Sequence, residues 1–381
     1  MKYLTFFTND TYKDRQLANA PPAVTKSTYM AQLLRDIGQS VEIISPSWSK
    51  CRAWSHWKAS DSTMDNQVKV HQLATFSTPF RWLTPLQWLY SLGQLFFYLI
   101  RHTHTGEPVL VYHSYYMSFP ILLAKRIKKF KLILEVEEIY QDIIHLPKII
   151  AALETRILNT ADGYVLSADD MRQALPCSAK PWMIINGIYT VEAPRNTPSF
   201  SDGKIHCVYA GTLDPGKGGA YAAVEAAAFL PENYHLHILG FGSEQEKSTL
   251  LKQIQQIQLR SPCGLSYEGA MQGEDYIRFL QRCQIGLSTQ IPEGQYIKTS
   301  FPSKILVYLS NALQVVSARI PSVVHSGVGD LITYYDAQTP EQIAAAIRTI
   351  DVTSAYNPTG RLQELHKQSC TRLQKMLEAL S

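Results

Sequence analysis

The stretch SFPSKILVYLSNALQVV, residues 300–316, joins two patterns. Ile305, Leu306, Tyr308 and Leu309 recur at helical spacing, and residues 313–316 form an apolar run that suits a buried strand. Ser300 is placed to cap the helix, with Pro302 near its first position and Ser303 and Lys304 at its mouth. A helix start offers unpaired N–H groups and a partial positive charge, and a lysine beside it adds a full one. The pattern suits an anion, and it sits between two strand-like runs.

Working outward, the same alternation fills the chain. Upstream lie strand-like IHCVYAG, YHLHILGFG, LSYEGAM and QIGLSTQI, separated by helical GAYAAVEAAAFL, SEQEKSTLLKQIQQIQL and QGEDYIRFLQRC. Downstream, TPEQIAAAIRTI starts with Thr339 as cap, Pro340 first in the helix and Gln342 closing a capping box. Residues 357–381 read as a helix. The N-terminal half repeats the pattern: KYLTFFTN, SVEIIS, PVLVYHS, KLILEVEE and PWMIINGIY as strands, with helices between them and a Gly38 stop after TKSTYMAQLLRDIGQ. VEAPRNTPSFSDGK, 191–204, has no apolar period and reads as a linker. This predicts an α/β chain of two Rossmann-like, doubly wound domains, 1–190 and 205–356, with a terminal helix at 357–381. Ligands of such sheets bind at the carboxyl ends of strands, here in a cleft between the domains.

Composition narrows the function. With 381 residues the chain is long enough for two cores. Six scattered cysteines without CxxC spacing argue against a disulfide framework or a zinc site, and for a reducing cytosol. The N-terminus reads as a buried strand rather than a signal peptide, and residues 83–101, interrupted by Gln87, Ser91, Gly93 and Gln94, as a buried or interfacial helix rather than a span. The net charge of +4 is uneven: residues 1–190 carry 20 Lys+Arg against 15 Asp+Glu. KRIKKFK, 125–131, is either a solvated helix end or a patch facing anionic lipid headgroups. No nucleic-acid-binding motif accompanies it, so nucleic acid is not expected as a partner.

In the second half, Gly211-Thr212-Leu213-Asp214-Pro215-Gly216-Lys217-Gly218-Gly219 follows a strand and opens a helix, which suits a phosphate although it is not the Walker pattern. Two helix starts with a lysine each, at Lys217 and Lys304, favour a diphosphate. Gly240-Phe241-Gly242 lacks the third glycine of a dinucleotide fingerprint; it and Glu268-Gly269-Ala270-Met271 are turns where a base or ribose can approach backbone.

VYAGTLDPGKGG, LHILGFGSE, YEGAM and FPSKILVYLSNALQVVS, in this order, resemble the nucleotide half of retaining GT-B glycosyltransferases, the family-4 group; ILEVEEIY, ADGYVLSADDM and MIINGI match its first half more loosely. The resemblance implies an enzyme that transfers a sugar from a nucleotide-diphosphate donor, of UDP or GDP type, to a hydroxyl of a glycan acceptor that can be lipid-linked. It implies no metal and no other cofactor, a terminal helix crossing back to the first domain, and a cytoplasmic protein at the inner face of the membrane. Lys217, Ser303 and Lys304 would hold the diphosphate. Gly211, Gly240, Gly242 and Glu268 would line the nucleoside, and Thr299, Ser300 and Phe301 would touch the donor sugar. In the first domain His113 would lie near the reacting sugar, as a catalytic residue, and Lys26, Glu135, Glu137 and Glu138 on the acceptor side.

The sequence departs from the family pattern. Its two glutamates, eight apart, are Thr299 and Val307 here; its arginine five before the lysine is Thr212; its N-terminal glycine-rich loop is NAPPAVTKST, with Thr25 and Lys26 near a helix start. Two other readings remain: an epimerase or hydrolase of sugar nucleotides on the same fold, or a non-catalytic partner that binds glycan or protein.

Overall fold

The computed structural model describes residues 1–65, 67–291 and 301–380. The chain divides into two compact units, Met1–Ile185 with Lys367–Ser381, and Asn186–His366.

In the first unit an eight-stranded sheet has the order β10-β9-β8-β7-β1-β2-β5-β4. Its strands are β1 Lys2–Leu4, β2 Glu42–Ser45, β4 Ser60–Met64, β5 Val68–Gln72, β7 Pro108–Tyr112, β8 Lys131–Val136, β9 Gly163–Leu166 and β10 Trp182–Ile184; β3 Ser55–Trp57 and β6 Thr75–Ser77 form a separate ribbon. Every neighbour in the large sheet is parallel except β4 against β5. The helices are α1 Pro21–Asp36, α2 Thr84–His102, α3 Ser118–Lys128, α4 Lys148–Thr160 and α5 Met171–Ala174. The central strands are buried along nearly their whole length, as strands covered on both faces must be, so VLV and LIL read as continuous apolar runs. Val109, Val111, Leu132, Leu134 and Leu166 pack with Leu95 and Leu99 of α2 and Ile121 and Ala124 of α3 in one core.

The second unit holds a six-stranded sheet, order β13-β12-β11-β14-β15-β16, parallel throughout. Its elements are β11 Ile205–Thr212, α6 Gly219–Ala226, β12 Tyr234–Phe241, α7 Glu244–Gln258, β13 Gly264–Gly269, α8 Gly273–Leu280, β14 Ile285–Ser288, α9 Ser303–Ser310, β15 Gln314–Ala318, α10 Pro321–Val324, β16 Ile332–Tyr335 and α11 Pro340–Arg348; α12, Pro358–Leu380, begins in this unit and from Lys367 onward belongs to the first. The chain runs outward from β11 to β13, returns, and runs outward again from β14 to β16. The reversal falls between β11 and β14, the topological switch point at which such sheets bind ligands.

Several local expectations change. KYLTFFTN contributes only three strand residues. The four short strands between residues 55 and 77 carry mixed polar sequence, SHW, SDSTM, VKVHQ and TFS, with little apolar signal. The Thr339 hydroxyl does accept from the Gln342 amide, but the Gln342 side chain accepts from the Ala337 amide rather than closing the box. The expected linker 191–204 is bound to the second unit: Glu192 N–H donates to Ser310, and Arg195 makes a two-pronged ion pair with Glu274. Of the five cations in 125–131, Lys125 turns inward to Asp162 and the Phe130 carbonyl. Among the described residues no helix is long and apolar enough to cross a membrane.

Candidate functional site

The two helix starts singled out in the sequence flank the switch point. α6 follows β11 and α9 follows β14, and these strands are neighbours. Tyr308 fixes α9 on the sheet: its ring lies where a Cβ at Gly286 would stand, and its hydroxyl accepts from the Ala210 amide and donates to the Leu287 carbonyl. The two loops also touch. Ile291 N–H donates to the Lys217 carbonyl at 3.1 Å, and the Thr289 hydroxyl donates to the Gly219 carbonyl at 2.7 Å. Gly218, at φ +66°, turns the chain into α6 with the Ile291 side chain against its Cα, so a side chain here would be both strained and crowded.

The glycine-rich loop works differently from expectation. Gly216 N–H donates to the Asp214 carboxylate, and Lys217 and Gly218 N–H to the Asp214 carbonyl. These amides close their own turn. What remains for an anion is the first turn of α6, which has no side-chain cap, and the Lys217 side chain, exposed and without an ion-pair partner among the described residues. Gly211 and Gly240 serve backbone packing: a Cβ on Gly240 would stand 2.4 Å from the Gly211 carbonyl oxygen, and one on Gly211 2.7 Å from the Tyr209 hydroxyl. Gly242 likewise accommodates Leu213 and Glu246.

α9 begins two residues later than expected. Pro302 is its N-cap, so Ser303 and Lys304 are the first two helical residues; Ser300 and Thr299 lie outside the described residues. Proline has no side-chain acceptor, so this start too lacks a side-chain cap, as does α8; α7 and α11 are capped by Ser243 and Thr339. Ser303 is exposed and Phe301 buried. The Lys304 ammonium lies 3.4 Å from the Tyr276 hydroxyl and 5.2 Å from the centre of its ring, with no carboxylate partner among the described residues. Burial holds its pKa below the usual lysine range. A half-buried cation without an anion at a helix start is suited to an incoming phosphate, which restores the missing charge.

Glu268, next to last in β13, sits in a bonded cluster: its Oε1 lies 2.8 Å from His237 Nδ1 and accepts from Ser266 at 2.5 Å. One carboxylate oxygen is therefore committed to neighbours rather than to a nucleoside.

In the first unit the polar groups of β1, β8 and α1 are brought together. Glu135 is fully buried, so it does not merely solvate a strand end; it accepts from the Tyr3 hydroxyl, and its other oxygen has no partner. Burial pushes its carboxyl up to about 8, against the pull of Lys26. α1 begins at Pro21, so Lys26 stands in its second turn rather than at its start, and the ammonium is buried between Glu137 at 3.1 Å and the Ile185 carbonyl at 3.0 Å. Glu138 is exposed. His113 is buried after β7. Its Nε2 lies 2.9 Å from Glu154, itself fully buried and accepting from the Tyr140 and Gln141 amides, while Nδ1 has no partner. Glu154 lies on α4, remote in sequence from any motif, which is why the sequence reading missed it.

Two α/β units of this topology define the GT-B architecture. Solved structures bear this out: the chain matches "OtsA apo structure" with TM-score 0.62 at 12% identity, over 99% of this chain and 97% of that one. It matches Anabaena Alr3699/HepE in complex with UDP and glucose at 0.62 and 14%, over 100% and 99%. It matches a glycosyltransferase from Rickettsia africae at 0.57 and 12%, over 99% and 95%. These likenesses show the fold and do not single out the family-4 group. No protein-family model matches the chain, and no curated protein matches it in sequence.

Proposed function

We propose that this chain is a glycosyltransferase that moves a sugar from a nucleoside-diphosphate donor to a hydroxyl of a glycan acceptor, in the synthesis of a cell-surface polysaccharide. The observation that carries the reading is the pair of helix starts without side-chain caps, each with a lysine lacking an anionic partner among the described residues, flanking the switch point of a parallel sheet. The donor is of UDP type: the structures of similar fold include HepE in complex with UDP-glucose and a UDP-forming trehalose-phosphate synthase.

Lys217, Ser303 and Lys304 take the diphosphate. Their charge and the two helix ends stabilise the departing nucleoside diphosphate without a metal. The bond from the anomeric carbon to the phosphate oxygen breaks, the bond to the acceptor oxygen forms on the same face, and the acceptor proton passes to the leaving phosphate. Gly211, Gly240, Gly242 and Glu268 border the nucleoside. Thr299, Ser300 and Phe301 meet the donor sugar, His113 lies near the reacting sugar as a catalytic residue, and Lys26, Glu135, Glu137 and Glu138 serve the acceptor side.

The test is release of UDP from UDP-sugars with and without glycan acceptors. Acceptor-dependent release supports the reading. Turnover of donor without acceptor marks a hydrolase or epimerase, and neither activity nor donor binding marks a binding partner.

The acceptor, in this reading, is lipid-linked. α3 presents Phe119, Leu123 and Ile127 to solvent beside Arg126 and Lys129, and its neighbour α2 adds exposed Leu86, Leu89 and Phe97. An apolar stripe edged with cations suits an anionic bilayer surface. Sedimentation with vesicles containing phosphatidylglycerol should carry the protein down, and vesicles of phosphatidylcholine alone should not. Equal binding to both, or to neither, refutes the surface.

A further inference from the structure

A second cluster lies in the amino-terminal half of the same sheet, away from the glycine turns. His206 of β11 and His235 of β12 are register partners, His237 follows two residues on, and Ser266 is the register partner of His237 on β13. Residues in register or two apart project from one face of a parallel sheet. The three imidazoles accordingly meet, with one nitrogen of each inside a 4.8 Å group. His206 and His237 are almost completely buried. Phe200, from the segment before β11, stacks on His206 at 3.9 Å, and the Arg282 guanidinium lies 3.7 Å from the centre of the Phe200 ring.

The bonding pattern leaves a place for a cation. His206 Nε2 lies 2.9 Å from the Asp202 carboxylate, and His237 Nδ1 lies 2.8 Å from the Glu268 carboxylate. Each outer nitrogen therefore carries its hydrogen toward an acid. The inner nitrogens, His206 Nδ1 and His237 Nε2, face each other at 2.9 Å. Two neutral rings have two N–H groups between them, and both are used outward. The facing nitrogens are then two lone pairs opposed, which only a positive charge between them makes favourable. An imidazole fixed by a carboxylate on its far nitrogen is the arrangement in which histidines hold metals. A shared proton would serve only two of the three rings, whereas a cation can also take the third, His235, whose Nε2 now rests on Ser266 at 2.9 Å.

We propose that His206, His237 and His235 form a site for a divalent transition metal, zinc above all, with Asp202 and Glu268 orienting the first two ligands. Imidazole donors suit this class of ion, and three of them leave a fourth position to water. The rings now lie within 12–23° of parallel, so binding turns His235 out of the stack to aim its lone pair at the ion. The ion fastens the segment carrying Phe200 and Asp202 onto β11 and β12, a structural role apart from sugar transfer. Lys204 and Arg282 are the neighbouring cations that oppose it.

The full-length chain, stripped with EDTA, is titrated with Zn2+ and with Co2+, reading metal content, melting temperature and the visible Co2+ spectrum. The expected result is one equivalent bound, a raised melting temperature and a nitrogen-ligand Co2+ band. Asp202→Asn, on a partly exposed carboxylate, should keep the fold and weaken binding about 10–100-fold; His237→Asn should abolish it. No stoichiometric uptake, or uptake unchanged in both variants, overturns the proposal. So does a melting temperature that follows pH and ignores both metals, which would mark a proton-sharing structural layer. None of these readouts depends on donor binding.

Discussion

Lys304 is the residue on which donor binding turns. Its ammonium has a tyrosine and no carboxylate beside it among the described residues, so its charge is spare until a phosphate arrives. A hydrogen bond to a charged group contributes about 1.5–3 kcal/mol, so Lys304→Ala should weaken UDP binding about tenfold to a hundredfold, read by titration calorimetry. Lys217→Ala should fall in the same range. Glu135 gives a prediction in pH. Its folded pKa, about 8, lies above the ordinary 4.5, so the folded state holds a proton that the unfolded state has lost. That contribution to stability is full below about 4.5 and lost as pH rises to about 8. Glu135→Gln keeps the hydrogen bond from Tyr3 and should flatten this decline, measured by urea unfolding across the window. At this scale the sequence showed which residues carry charge, because lysines after strands and glycines are visible in a string. It did not show that Asp214 consumes the loop amides, that Glu154 holds His113, or that three histidines from two strands meet, because those contacts join residues distant along the chain.

The elements explain why some motifs read correctly for the wrong reason. Gly240 stands out in sequence as a place for ligand approach, yet it is required because the last residues of β11 and β12 press backbone on backbone. Gly240→Ala should destabilise the protein by about 1–3 kcal/mol through overpacking, even with no donor present, as a fall in melting temperature would show. Long runs were legible: β7, β8, β11 and β12 are mostly apolar, and α7 and α12 have helical period. The short strands at 55–77 were not, since their stability comes from pairing, β5 with β2, β4 with β5 and β3 with β6, rather than from their own composition. On α3, Arg126→Glu with Lys129→Glu should release the protein from anionic vesicles. Each cation near a charged surface contributes about 1 kcal/mol, so even neutralising both would weaken sedimentation about thirtyfold.

At the scale of the whole molecule, the chain ends in the unit where it began. Lys367–Ser381 belong with the first unit, and Leu380 and Met376 lie against Gly163 of β9. Leu373, Met376, Leu377 and Leu380 are all buried. Each contributes about 1.5–3 kcal/mol on burial, so ending the chain at residue 366 should destabilise the first unit severely, seen as loss of its cooperative melting transition. The two-unit α/β plan was legible from alternation alone. The order of strands was not, because periodicity says nothing of which strand neighbours which, and it is that order that puts α6 and α9 on either side of the switch point. The central claim is that these two helix starts hold a nucleoside diphosphate. Calorimetric titration with UDP, GDP, ADP and CMP, on the native chain and on Lys304→Ala, tests it most directly. Saturable binding of UDP, weakened at least tenfold in the variant, is the result predicted. No binding of any of the four, or UDP affinity unchanged in the variant, would contradict it.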